Sequence, residues 1–358
     1  MIKVVHTADL HLDRDFFPED QRLGDLRRQE RRALFANLMM YARDRKVDIL
    51  LFCGDLFEGL SPQRETAELI LREFENTPET QILIAPGAHD PFRHGSFYST
   101  AKFPANVHIF KEESLSAISL DGLNTTVYGY AYTGRKLRVD PFAAPITPDK
   151  ARINLLLAPG VEEGQLQALT ATGVDYAALG MGHEAGELME EQGVHYACAG
   201  APEGGDFKEV GHKGVRILAI EKQEDECIVK SKAVRFSRRH YETLTVNLEN
   251  YKNTDELVAD LSDTLRSSEY DADTLLQITF TGSVPLSFGV ITRGLFDKIA
   301  ARLYYLSIDD QSTLCFTPNE DAKELKEGFA TAAGELAGEE LLQEVLKTGL
   351  KALEGKPF

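Results

Sequence analysis

Five times in the first 183 residues an apolar, strand-like run ends in a short turn rich in Gly, Asp or His. The turns read H-T-A-D-L-H at 6–11, F-C-G-D at 52–55, A-P-G-A-H-D at 85–90, A-P-G at 158–160 and L-G-M-G-H at 179–183. Strands are expected over Lys3–His6, Asp48–Phe52, Gln81–Ala85, Thr125–Tyr130, Ile153–Leu157 and Tyr176–Leu179. Between the first two, Leu23, Leu26, Leu34, Leu38 and Tyr41 recur at helical spacing, with Arg27, Arg28, Arg31 and Arg32 clear of that stripe. Glu65–Phe74 is a second helix. Strand–helix–strand alternation implies a parallel core, and ligand sites in parallel α/β sheets lie at the carboxyl ends of strands. The polar turns therefore face one crevice.

Further along, the hairpin-like run from Glu187 to Arg235 implies added antiparallel strands. Near Ser237–Tyr241 the pattern changes. Tyr241–Leu248 alternates as a strand, Thr254–Arg266 reads as a helix, Leu275–Thr281 as a strand and Gly294–Tyr305 as a helix. At 358 residues the chain is long for one domain. The division expected is 1–238, followed by a smaller α+β domain over 239–358.

Cys53, Cys198, Cys227 and Cys315 show no CxxC pairing, which fits thiols in a reducing cytoplasm. The start carries no basic n-region followed by an apolar h-region, and no apolar stretch approaches the ~20 residues that span a bilayer. The expectation is a soluble, cytoplasmic chain without a membrane partner. A formal net charge of −18 argues against a surface coated for nucleic acid. Local patches remain: residues 21–46 hold eight Arg/Lys against three acids, and 228–239 hold five with none. Each patch reads equally well as DNA-facing or as a solvated face.

Asp9 and His11 leave the first strand as alternate residues, so a carboxylate and an imidazole converge on one point. Asp55 follows the second strand, where Gly54 permits a tight exit. The third delivers His89 and Asp90, and the fifth His183. Carboxylates and imidazoles together suit a divalent transition metal.

The order D-x-H, G-D, G-x-H-D and a late G-x-G-H resembles the calcineurin-like metallophosphoesterases, and most of all the SbcD-type DNA double-strand-break-repair nucleases with their YhaO-like branch. HTADLHLD, GDLFE, GAHDPFRHGSFY with FPANVHIF, and AGAPEGGDF with GHKGV extend the likeness over residues 1–235, and more loosely over 240–358, which resembles the family's capping domain. The resemblance implies a two-sheet α-β-β-α sandwich. It assigns Asp9, His11, Asp55 and His183 to a first metal, His89 to general acid, and Asp90 to orienting it. The family takes its second-metal ligands from positions that here hold Ala88, Pro159 and Met181: a methyl, no side-chain donor, and a soft thioether unsuited to Mn²⁺ or Mg²⁺.

One divalent transition metal is therefore expected, Mn²⁺ by resemblance with Fe²⁺ or Zn²⁺ as alternatives, and the second site is expected to be lost. Two-metal sites hold ions ~3.5–4 Å apart to clamp the attacking and leaving oxygens, so nuclease activity should be weak, mononuclear or absent. The implied partners are DNA and an SbcC- or YhaN-like ATPase, with a homodimer as a further expectation. A non-catalytic scaffold and a one-metal phosphodiesterase of small substrates are the rival readings. Residues 339–353 set Leu342, Val345, Leu346, Leu350 and Leu353 along one helical face, for the chain's own core or for the ATPase.

Overall fold

The computed structural model describes residues 1–162, 164–223, 226–285, 288, 291, 293–315, 328–329, 331–334 and 343–349. The chain divides into two compact units, Met1–Gly205 with Gly211–Arg238, and Asp206–Val210 with Arg239–Phe358.

The first unit holds strands β1 (Ile2–Thr7), β2 (Ile49–Cys53), β3 (Gln81–Ala85), β4 (Val107–Ile109), β5 (Ser116–Leu120), β6 (Thr125–Gly129), β7 (Ile153–Ala158), β8 (Tyr176–Leu179), β9 (Met189–Glu191), β10 (Val194–Cys198), β11 (Gly214–Gln223) and β12 (Glu226–Arg235). Its helices are α1 (Gln21–Asp44), α2 (Arg64–Glu75), α3 (Phe97–Thr100) and α4 (Leu166–Thr170). One six-stranded sheet has the order β12-β11-β1-β2-β3-β4, the other β5-β6-β7-β8-β10-β9. The strands leading to the polar turns pair in parallel, as Val4 with Ile49 and Leu50 with Ile82. The region after Glu187 supplies antiparallel partners, β11 against β1 and against β12.

β2 reads Ile-Leu-Leu-Phe-Cys with every residue buried, because both of its faces are covered. Leu51, Val4 and Leu83 point toward Val127, Leu155, Leu157 and Tyr176 of the second sheet, forming the layer between the sheets. Leu50, Phe52 and Ile84 point the other way, onto Phe35, Leu38 and Met39 of α1 and Ile70 and Phe74 of α2. Leu169 of α4 covers the outer face of the second sheet with Leu156 and Ala177. The period-2 alternation of the strands sorts each side chain to its layer, and the result is a two-sheet sandwich with helices outside.

Helix α1 departs from its expected stripe. Leu26 is 43% exposed, whereas Arg27 and Arg31 are buried. Arg27 donates to Glu203 at 2.7 Å and Glu30 at 2.6 Å, and Arg31 to the Gly204 carbonyl at 2.7 Å. Both guanidinium groups lie over the Phe16 ring, at 5.6 and 5.4 Å from its centroid. Arg28 pairs with Asp15 and Asp25, Arg32 with Asp13 and Glu65, and Arg43 with Glu73. The basic run of α1 is thus held within the fold and is no open phosphate-facing patch. Lys230 and Lys232, by contrast, are exposed on the edge strand β12.

The second unit holds β13 (His240–Asn247), β14 (Thr274–Thr281), β15 (Ser283–Pro285), β16 (Tyr305–Asp310) and β17 (Thr313–Cys315), with α5 (Thr254–Ser267) and α6 (Asp297–Ala300). β13, β14 and β16 form a parallel sheet, and Leu257, Leu261 and Leu265 of α5 pack on Leu276, Ile278 and Phe280. The helix expected over Gly294–Tyr305 shrinks to a 3-10 turn and the short α6, because Tyr305, Leu306 and Ile308 are drawn into β16 by pairing with β14. Residues 343–349 are helical, and Lys347 lies 3.2 Å from the Asp310 carboxylate. Leu342, Leu350 and Leu353 of the expected terminal stripe lie outside the described residues. Among the described residues no helix is long and apolar enough to cross a membrane.

Candidate metal centre

The backbone at the carboxyl ends of β1 and β2 is bent into the left-handed region. Asp9, His11 and Asp55 have φ of 51°, 46° and 51°, and Met181 has 64°. Non-glycine residues there carry strain of ~1–3 kcal/mol each, held by surrounding structure. Part of the restraint is a ladder between the two turns. The Asp9 N–H donates to the Gly54 carbonyl at 3.1 Å, that of His11 to Asp55 at 2.9 Å, and that of Leu12 to Leu56 at 3.0 Å. Gly87 is a second requirement, since a Cβ there would stand 2.3 Å from Asp55 Oδ1 and 2.7 Å from its amide nitrogen.

These bends aim donors at one point. Ligand atoms of Asp9, His11 and His183 all lie within 4.8 Å of one another. Asp9 and His11 are buried and His183 half-buried. Nε2 of His11 is buried with no hydrogen-bond partner, while its Nδ1 lies 2.8 Å from Glu58 Oε1. Donors on a transition metal sit at ~2.0–2.2 Å from it, so three atoms this close need only a slight contraction to share an ion. The buried bare nitrogen and the carboxylate–imidazole set fit such an ion. Asp55 stands beside this trio, its Oδ2 4.0 Å from His11 Nε2 and its Oδ1 accepting the His89 N–H at 2.8 Å.

Glu58 is the site residue that sequence reasoning missed. It ends G-D-L-F-E, three residues after Asp55, and the turn brings it back over the crevice. Its two oxygens meet His11 Nδ1 at 2.8 Å and His89 Nδ1 at 2.9 Å. Burial works to raise its carboxyl pKa, yet hydrogen bonds and charge from His11 and His89 outweigh that and hold it down at about 2. His11, Glu58 and His89 make a second close set of potential ligands.

The carboxylate beside the His89 ring is therefore Glu58, where the resemblance points to Asp90. The oxygens of Asp90 accept from Gly87 N–H at 2.7 Å, Leu56 N–H at 2.7 Å, Asp55 N–H at 3.2 Å and the Tyr98 hydroxyl at 2.6 Å. Asp90 joins the turns after β2 and β3. Burial and the neighbouring Asp55 push its carboxyl well above the usual range.

Ala88 is half-buried against the apolar cluster that includes Tyr132 and Leu156. Pro159 is buried against Gly54, where a Cβ would stand 3.2 Å from the proline carbonyl. Met181 is 48% exposed, its sulfur 3.8 Å from the Tyr132 hydroxyl. None of the three presents a nitrogen or oxygen side-chain donor.

Residues 2–184 match the family model for calcineurin-like phosphoesterases. The chain is 24% identical over 322 residues to YhaO of Bacillus subtilis, described as an uncharacterized metallophosphoesterase, across 84% of this chain and 76% of that one. It is 28% identical over 213 residues to SbcD, the nuclease component of SbcCD, from Rhodobacter capsulatus, across 56% of this chain and about half, 49%, of the relative. It is 23% identical over 269 residues to the DNA double-strand break repair protein Mre11 of Saccharolobus solfataricus, across 70% and 68% of the two chains.

Proposed function

Because this chain belongs to the calcineurin-like phosphoesterase family, we propose that it is a diverged SbcD-like protein for DNA processing, with one metal position kept, the second lost and nuclease activity reduced. The observation that carries this reading is the convergence of Asp9, His11 and His183 beside the Glu58–His89 pair. Asp9, His11 and His183, with Asp55 alongside, would hold one divalent transition ion. Bound there, such an ion supplies Lewis acidity toward a phosphoryl oxygen. His89 holds a proton for the leaving alkoxide, and Glu58 fixes the ring by accepting from Nδ1, leaving Nε2 toward substrate. Asp90 keeps the two turns in register.

The relatives' names support DNA as the substrate class and an SbcC-like ATPase as partner, with the second unit as the capping domain. A non-catalytic scaffold for that ATPase is favoured by one observation, the donor-free trio Ala88, Pro159 and Met181. Measuring Mn²⁺ stoichiometry together with Mn²⁺-dependent cleavage of linear duplex DNA separates the two. One ion with slow cleavage that His89→Ala abolishes supports the enzyme. One ion or none, without cleavage, supports the scaffold.

A further inference from the structure

A cavity of about 510 Å³ opens beside the metal centre, with His89, Glu58 and Ala88 on its wall and Arg93 and Arg135 at its rim. Its size falls within the ~300–1,000 Å³ of ordinary ligand pockets. The two arginines are unlike most others of this unit. Arg27, Arg28, Arg32, Arg43, Arg64 and Arg152 all lie on carboxylates. Among the described residues, the exposed Arg93 and Arg135 side chains have no hydrogen bond or ion pair, in a chain of net charge −18. The only carboxylate on the cavity wall, that of Glu58, is already engaged by His11 and His89.

Two unengaged guanidinium forks on the wall that also carries His89 are suited to one ligand chemistry, a phosphate held bidentately. We propose that this cavity binds a second phosphate of the substrate, on the leaving-group side of the scissile ester, and that Arg93 and Arg135 are its binding residues. The substrate class is then a phosphodiester flanked by a further phosphate, in preference to an isolated diester. Where the second ion's ligand is replaced by Ala88, positive charge enters the same crevice from these side chains.

This inference rests on the phosphodiester reading of the site, so its test reads binding separately from turnover. Thymidylyl-thymidine and its 5′- and 3′-phosphorylated forms are titrated calorimetrically into the full chain after chelation with EDTA. One phosphorylated form should bind about tenfold more tightly than the unphosphorylated dinucleotide, the scale of one charge-assisted hydrogen bond in a solvent-screened setting. The double variant Arg93→Gln/Arg135→Gln should erase that preference, and Arg93→Lys/Arg135→Lys should keep part of it, since charge stays while the fork is lost. Equal binding of all three ligands, no binding of any, or a preference that survives the Gln variant overturns the proposal. Hydrolysis with Mn²⁺ is scored on the same ligands. A preference without turnover sinks the enzyme reading alone, and turnover without preference sinks this one alone.

Discussion

Glu58 Oε2 lies 2.9 Å from His89 Nδ1 while Oε1 lies 2.8 Å from His11 Nδ1, so one carboxylate orients a candidate metal ligand and a candidate proton donor together. Groups that fix a ligating imidazole typically change metal affinity ~10–100-fold when removed. Glu58→Gln keeps the shape, removes the charge and turns an amide N–H toward one of the two rings. Mn²⁺ affinity, followed by electron paramagnetic resonance, should fall by at least about tenfold. Unchanged affinity would show that Glu58 is only a surface partner of the two rings.

One transition-metal ion per chain is expected on Asp9, His11, Asp55 and His183. His11 Nε2 is the anchor, being buried and without a hydrogen-bond partner. Elemental analysis of protein purified from Mn²⁺-supplemented medium should give a ratio near one, and His11→Ala should bring it near zero. Two tightly held ions would mean that the His11–Glu58–His89 set recruits a second one.

Much of this arrangement is legible in the sequence. Parallel strands with apolar centres and polar exits can be read because a buried strand needs continuous apolar residues and its exit needs Gly or Pro. The metal candidates follow from those exits. Glu58 cannot be read in the same way, since its role depends on a turn whose path is set by the Asp9–Gly54 ladder and not by periodicity. Arg27 and Arg31 escape for a related reason: helical periodicity ranks arginine as outward-facing, while Glu203, distant in sequence, supplies the carboxylate that lets Arg27 turn inward. The shortened helix before β16 loses to strand pairing, a tertiary effect that local propensity does not contain.

Restoring three donors tests whether the second position was lost by side chain or by backbone. Ala88→Asn, Pro159→His and Met181→His together should raise the metal ratio from one to two if the turns have kept their course. Pro159 is the decisive position. It packs against Gly54, and proline fixes φ and lacks an amide donor. Should the triple variant still take one ion while remaining folded, the turn after β7 has been remodelled.

The buried Arg27–Glu203 pair should behave as a structural bond. Arg27 is 0% and Glu203 1% exposed, and Glu203 also accepts the Arg238 N–H at 2.9 Å. Removing one partner of a buried pair leaves the other charge without compensation, at a cost of ~3–5 kcal/mol. Glu203→Ala should lower unfolding stability by about that amount in urea titrations. A loss under about 1 kcal/mol, the range of exposed pairs, would place this contact at the surface instead.

His6 should give the chain a specific acid sensitivity. Its ring is fully buried between the sheets, with Nδ1 2.9 Å from the Tyr176 hydroxyl. Burial, then the nearby Arg216 charge, lowers its pKa from 6.5 to about 3. Between those values the unfolded chain binds a proton at this position and the folded chain does not. Stability therefore holds above pH 6.5 and falls as pH drops toward 3, with a limiting slope of about 1.4 kcal/mol per pH unit for one proton. His6→Asn cannot take up that proton and retains an acceptor for Tyr176. The variant will start less stable because its side chain is smaller, so the informative quantity is the gap to the native chain at each pH. Urea midpoints at pH 7, 6 and 5 should show that gap shrinking by about 2 kcal/mol as the native chain alone loses stability. A constant gap across the series would mean that His6 is protonated, or unprotonated, in both states.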